Sequence, residues 1–160
     1  MQLTIVFVVG ALASWTPIET NIAFMQASSA VQLWRQAGVG VTVKSMTLGA
    51  SWDSITMGEA NAAINAMPRS GKTLYLVLRP VNWTHGGFAK TGQYGVIGWR
   101  EGMDDREMQR AMAHELGHVF GATERELSAT IADNDIMTKN LYWRVSKKTI
   151  EAINDYDRSH

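Results

Sequence analysis

His114, Glu115 and His118 stand in the order H-E-x-x-H, a spacing that acquires chemical meaning only if the chain around it is helical. On a helix a four-residue step places two side chains one above the other, so both imidazoles can share a single metal ion while the Glu115 carboxylate flanks them. Imidazole is a good zinc ligand, and a carboxylate beside a metal-activated water can take and return its proton. The chain has no cysteine, so thiolates are excluded and any zinc must be held by His and carboxylate donors.

The residues that must position this trio are present on both sides of it. Asp104 followed by Glu107 reads as an N-cap with an acidic residue three positions on, and Met108, Met112, Leu116, Val119 and Phe120 recur at helical spacing. Gly121 then supplies the residue on which a helix C-terminus turns. The expected element is a capped amphipathic helix with its chemistry near the C-terminal end.

The run from His114 to Glu124, HELGHVFGATE, resembles the metzincin metallopeptidase signature H-E-x-x-H-x-x-G-x-x-H or D, and Asp135-Ile136-Met137-Thr138 looks like the turn that places a methionine beneath the metal in that family. The resemblance implies one zinc ion per chain, held by His114, His118 and Glu124, with Met137 under it and Glu115 as the general base and acid acting on a zinc-bound water. The chain departs from the signature at Glu124, where His or Asp is usual. A glutamate oxygen binds zinc at about 2.0 to 2.2 Å, but the extra methylene asks for a different backbone path. Asp133 and Asp135 in the following loop, and Glu151 where gluzincins place a later ligand, are the other candidates. The function implied is a zinc-dependent endopeptidase acting on peptide or protein substrates. The competing class is a non-catalytic metal-binding or protein-interaction domain with the same shape, which would predict loss of the general base, whereas Glu115 is present.

At 160 residues the chain is about one domain, with enough apolar content (46%) to bury a core. Residues 1–121 are expected to form an upper part with the sheet and the active helix, and 122–160 a minimal lower part. Fifteen basic and fifteen acidic residues cancel, so neither nucleic acid nor an anionic membrane surface is indicated as a partner. Oligomeric state and compartment are not legible. The apolar run Leu3 to Leu12 has no Lys or Arg before it and is too short to span a bilayer; it reads as a buried strand rather than a signal segment, and a soluble domain is expected.

The fold class expected is α/β (α+β), a metzincin-like twisted mixed sheet of four to five strands with backing helices, the active helix, a Met-turn and a C-terminal helix. Leu3 to Val9 reads as the first strand, and Thr16-Pro17-Ile18-Glu19 as a helix start. Ile18, Ile22, Met25, Ala30, Leu33, Trp34 and Ala37 mark the face of that helix expected to pack on the sheet. Val39, Val41 and Val43 alternate as a second strand; residues 47–57 read as loop, Glu59 to Met67 as a short helix, and Thr73 to Leu78 as a third strand. By the resemblance, Gly87 to Lys90 is an edge strand along the cleft, making Gly87, Phe88 and Ala89 candidates for substrate contact, with His85 just before them. Tyr94 to Trp99 reads as the last strand and Ser146 as the cap of a final helix with Ile150, Ile153 and Tyr156 inward. Tyr142 is a further substrate-contact candidate through its hydroxyl, although Tyr142 and Trp143 are expected to pack under the Met-turn.

Overall fold

In the computed structural model, which describes residues 1–8, 15–48, 56–68, 71–81, 87–100 and 102–160, the β-rich run near the start of the chain becomes strand β1 (Gln2–Val8). Its side chains alternate between two cores: Leu3, Ile5 and Phe7 enter the larger, Val6 and Val8 the smaller. Both faces are therefore covered, which is why the run shows no polar alternation. Strands β2 (Thr42–Leu48), β3 (Lys72–Leu78), β4 (Gly87–Lys90) and β5 (Tyr94–Trp99) complete a five-stranded sheet in the order β2-β1-β3-β5-β4. All neighbours are parallel except β4, which runs antiparallel to β5 at the edge. The sheet is mixed, as expected.

Helix α1 (Pro17–Gln36) starts on a reciprocal cap in which Thr16 Oγ1 accepts from Glu19 N–H at 3.1 Å and Glu19 Oε1 accepts from Thr16 N–H at 3.2 Å. Of the face expected to pack, Ala30, Leu33 and Trp34 are buried, but its N-terminal half is not: Ile18 and Met25 are each 69% exposed and Ile22 is 37% exposed. Ala23, Ala27 and Val31 are buried as well, and small side chains there suit the packing of α1 beside α3. Trp34 fills the remaining space and donates Nε1–H to the Ala113 carbonyl at 3.0 Å.

On the opposite face of the sheet, α2 (Met57–Ala66), capped by Thr56, buries Met57, Ala60 and Ile64 against Val6, Val8, Tyr75 and Val96. Strand β2 begins after Val39 and Val41 and runs on to Leu48, later than the alternation of valines indicates. Of the stretch read as loop, residues 49–55 lie outside the described residues. Helix α3 (Asp105–Phe120) packs beside α1 on the larger core, and a short 3₁₀ turn (Ile131–Asp133) and helix α4 (Lys147–Ser159) close the chain. Among the described residues no helix is long and apolar enough to cross a membrane.

Candidate functional site

Helix α3 carries the trio, and local physics sets its ends. Asp104 accepts from Glu107 N–H at 3.0 Å at the N-terminus, and Gly121 adopts φ 116° at the C-terminus, a left-handed conformation that a Cβ would oppose. Met108, Met112, Leu116, Val119 and Phe120 are buried in the core, which turns His114, Glu115 and His118 toward a cleft of about 710 Å³.

Each imidazole is oriented by a backbone carbonyl. His114 Nδ1 lies 2.8 Å from the Ile136 oxygen, and His118 Nδ1 lies 3.0 Å from the Ala122 oxygen. A carbonyl can only accept, so both Nδ1 atoms carry the proton, and in the neutral imidazoles both Nε2 atoms present lone pairs. Those lone pairs face each other at 3.2 Å. Burial pushes the His118 imidazole below its ordinary range, and His114 acts in the same direction, against the Ala122 hydrogen bond and the Glu124 charge. Glu124, exposed at the rim, brings Oε1 to 3.6 Å from His114 Nε2. It is carried there by the segment after Gly121, which pairs with the turn around Met137 through Arg125 N–H to the Met137 carbonyl at 2.8 Å.

This donor set suits a tetrahedral cation. Two nitrogens each about 2.0 to 2.1 Å from a shared zinc stand about 3.3 to 3.4 Å apart, and a cation between them is what two opposed lone pairs without a proton require. Among the described residues no three His, Asp and Glu side chains meet as a closed metal-binding group; the structure places two imidazoles together and one carboxylate next to them.

Glu115 is buried between α3 and the β4–β5 edge, and burial, reinforced by the charge of Glu124, pushes its carboxyl up to about 7. Its packing depends on a missing side chain. A Cβ on Gly87 would stand 2.5 Å from the Val96 carbonyl oxygen and 3.0 Å from Glu115 Oε1.

Met137 is fully buried, its sulfur filling the hollow left by Gly117 on α3, where a Cβ would stand 2.1 Å from it. The turn that carries it is tightly bonded. Asp135 N–H donates to Thr138 Oγ1 at 2.9 Å, Thr138 Oγ1–H donates to the Asp135 carbonyl at 2.8 Å, and Met137 N–H donates to Asp135 Oδ1 at 2.8 Å. The Asp135 carboxylate also accepts from Arg125, Ser146 N–H and Thr149, so its oxygens are committed to the turn. Asp133 pairs with Lys148 at 3.1 Å, and Glu151 stands near Lys147 on the exposed side of α4. None of these three alternatives lines the cleft.

Of the substrate-contact candidates, Gly87 and Ala89 line the cleft, while Phe88 alternates outward and is 41% exposed. His85 lies outside the described residues. Tyr142 is exposed and does not line the cleft, and neither it nor Trp143 is buried under the turn, contrary to expectation: the chain swings outward at Asn140 and Leu141, both with positive φ. The far wall is instead Lys139, Asn140 and Leu141, which sequence reasoning missed. Asn140, at φ 73°, is the one with a local signal, since Asn tolerates the left-handed region.

No protein-family model matches the chain, and no curated protein matches it by sequence. Solved structures do. Metalloproteinase-II from Bacteroides fragilis superposes with a TM-score of 0.57 at 13% identity, over 96% of this chain and 52% of that one. The archaemetzincin from Methanopyrus kandleri superposes with a TM-score of 0.60 at 13% identity, over 98% of this chain and 96% of that one. This chain thus spans about half the length of the first and nearly all of the second. At such identity the likeness is one of fold, and the fold is that of a metalloproteinase.

Proposed function

We propose that the chain is a zinc-dependent endopeptidase of the metzincin type, with His114, His118 and Glu124 holding one zinc ion above Met137. The observation that carries the reading is the pair of imidazoles whose Nδ1 protons are tied to carbonyls and whose Nε2 atoms converge at 3.2 Å beside a buried carboxyl. Zinc held there would polarise a substrate carbonyl and make a water acidic enough to attack it at neutral pH.

The chain's own residues do the rest. Glu115, buried beside the imidazoles, would take a proton from the attacking water and hand it to the departing amine nitrogen. The exposed edge of β4 offers unpaired backbone groups to an extended peptide, and Gly87 and Ala89 leave room for the main chain to approach. Residues 1–121 then form the upper wall and 122–160 the lower one, with Lys139 to Leu141 facing the edge strand across the cleft.

The test is direct. Protein purified without added metal is analysed for bound zinc, stripped with a chelator, reconstituted, and incubated with unfolded protein and a peptide library. Zinc at one ion per chain with chelator-sensitive cleavage is expected. A protein that refuses zinc ends the reading, and one that binds zinc yet cleaves nothing leaves a metal-binding domain in its place.

A further inference from the structure

Arg106, Arg110, His114 and His118 follow one another at four-residue steps on α3, so two guanidiniums extend the row of imidazoles toward the start of the helix. Beside them a second cavity, of about 260 Å³, opens between Arg106, Gln109 and Arg110 on one side and the Trp143 indole on the other. Along the chain it neighbours the cleft already described: Arg110 stands one four-residue step before His114, and Leu141, two residues before Trp143, lines that cleft.

The stability of their helix explains the two arginines only in part: Glu107, three residues before it, favours Arg110, but like charges four residues apart repel, and Arg106 stands in the first turn, where the macrodipole disfavours a cation. Among the described residues neither guanidinium has an ion-pair partner, whereas Lys139, the cation in the main cleft, is held by Glu126 at 2.8 Å. What faces the cavity is therefore two guanidinium forks with no ion-pair partner among the described residues and an aromatic face that is 40% exposed.

Resting on the endopeptidase reading, we propose that this cavity binds a carboxylate of the substrate, supplied by an Asp or Glu side chain or by a free C-terminus. Guanidinium forks match a carboxylate with two parallel hydrogen bonds, and the indole alongside excludes water from them. A polyanion is disfavoured, because Glu115 and Glu124 stand in the adjoining cleft and the chain as a whole is neutral. Arg110 and Arg106 sit about 6 Å and 12 Å along the helix axis from His114, so an extended peptide brings the carboxylate to them about two to four residues from the cleaved bond.

The experiment uses peptides of one sequence in which a single Glu or Gln occupies successive positions around the cleaved bond, each made with a free and an amidated C-terminus. Cleavage by the zinc-loaded parent is read by mass spectrometry, and binding of the same peptides to Glu115→Gln is read by fluorescence polarisation. The expected result is about a tenfold preference for Glu over Gln at one position in both readouts, the scale of a charge-assisted bidentate contact. The ratio falls toward one in Arg106→Gln/Arg110→Gln and persists in Lys147→Gln, which removes a distant exposed charge. A preference that follows the Glu/Gln exchange in amidated peptides assigns the side chain; one that appears only with a free terminus assigns the C-terminal carboxylate. Should the double variant melt early, Arg106→Gln alone, at an exposed position, reads the same ratio. Cleavage without preference, or a preference that survives loss of both arginines, overturns the proposal and leaves the endopeptidase reading standing. A parent that cleaves no peptide overturns that reading, and with it the assignment of the cavity to substrate, even if Glu115→Gln binds Glu peptides selectively.

Discussion

Replacing Asp135 with Ala removes one carboxylate and leaves four donors without their acceptor. That carboxylate is fully buried and accepts from Met137 N–H and Ser146 N–H at 2.8 Å each, from the Thr149 hydroxyl at 2.6 Å and from Arg125 at 3.1 Å. The two backbone N–H groups have no solvent to turn to, and at about 1–3 kcal/mol for each unsatisfied buried group they alone cost about 2–6 kcal/mol. Thr149 adds about 1 kcal/mol, because its hydroxyl still accepts from Arg125 after losing its own acceptor. Arg125 contributes less: it is partly exposed and keeps the Asp133 carbonyl and the hydroxyls of Ser146 and Thr149. Relief from burying a charge offsets part of this, so about 4 kcal/mol is expected, a large share of the roughly 5–15 kcal/mol that holds a domain together. For a chain of this length that is a fall in Tm of about 8–16 °C, read by circular dichroism at pH 7. The same group fixes an acid limb. Burial works to raise its pKa, but the bonds from Thr149, Ser146 and Met137 outweigh burial and hold it below the usual aspartate range. A folded-state pKa below the unfolded one means the stabilisation is complete above the unfolded value and is lost as pH falls through the folded value. The gap between parent and Asp135→Ala should therefore narrow below about pH 4. A variant that melts within about 2 °C of the parent at pH 7 would refute the reasoning.

Three further outcomes are expected. Glu115→Gln should retain zinc and fold but lose about 10²–10⁴-fold in peptide hydrolysis, measured as kcat/KM on one peptide; parental activity would remove Glu115 from proton transfer. Glu124→Ala should weaken zinc binding at least about tenfold against a chromogenic chelator while Glu126→Ala, whose partner is Lys139, should not; equal affinities would mean the third ligand lies elsewhere. Gly117→Ala inserts a methyl group 2.1 Å from the Met137 sulfur and should cost about 1–3 kcal/mol in urea unfolding, and an unchanged midpoint would show that the methionine is free to move away.

What could be read from the chain alone was whatever local chemistry decides. Asp104 and Gly121 bound the active helix because a cap and a left-handed residue act within a few positions, and β4 and β5 lie where their residues placed them. In the first helix Ala30, Leu33 and Trp34 pack as expected, but Ile18, Ile22 and Met25 do not, although they are more apolar than Ala23 and Ala27, which do; which side meets the neighbouring helix is a tertiary property. Lys139 and Leu141 carry no local signal, and that of Asn140 is for a left-handed turn rather than a cleft wall, since their position follows from pairing of Thr138 with Arg125 and from two left-handed residues in succession. Asp135 was legible as a turn residue and a candidate metal ligand, yet the donors that surround it come from Arg125, Ser146 and Thr149, which only the folded chain brings together.

The two carbonyls that orient the imidazoles come from very different distances along the chain, four residues for His118 and twenty-two for His114. The first tether belongs to the helix terminus and can exist as soon as Gly121 turns. The second needs the Met137 turn in place, so the pair is expected to converge only once that tertiary contact has formed. An isolated active helix would carry both histidines but hold only one in register, and a refolding chain should acquire its full affinity for zinc after its helical signal, not with it. In stopped-flow refolding, zinc capture that kept pace with far-ultraviolet circular dichroism would show that the pair is aligned without the turn. On the zinc reading, full metal affinity would then report that the turn carrying Met137 has docked on the helix.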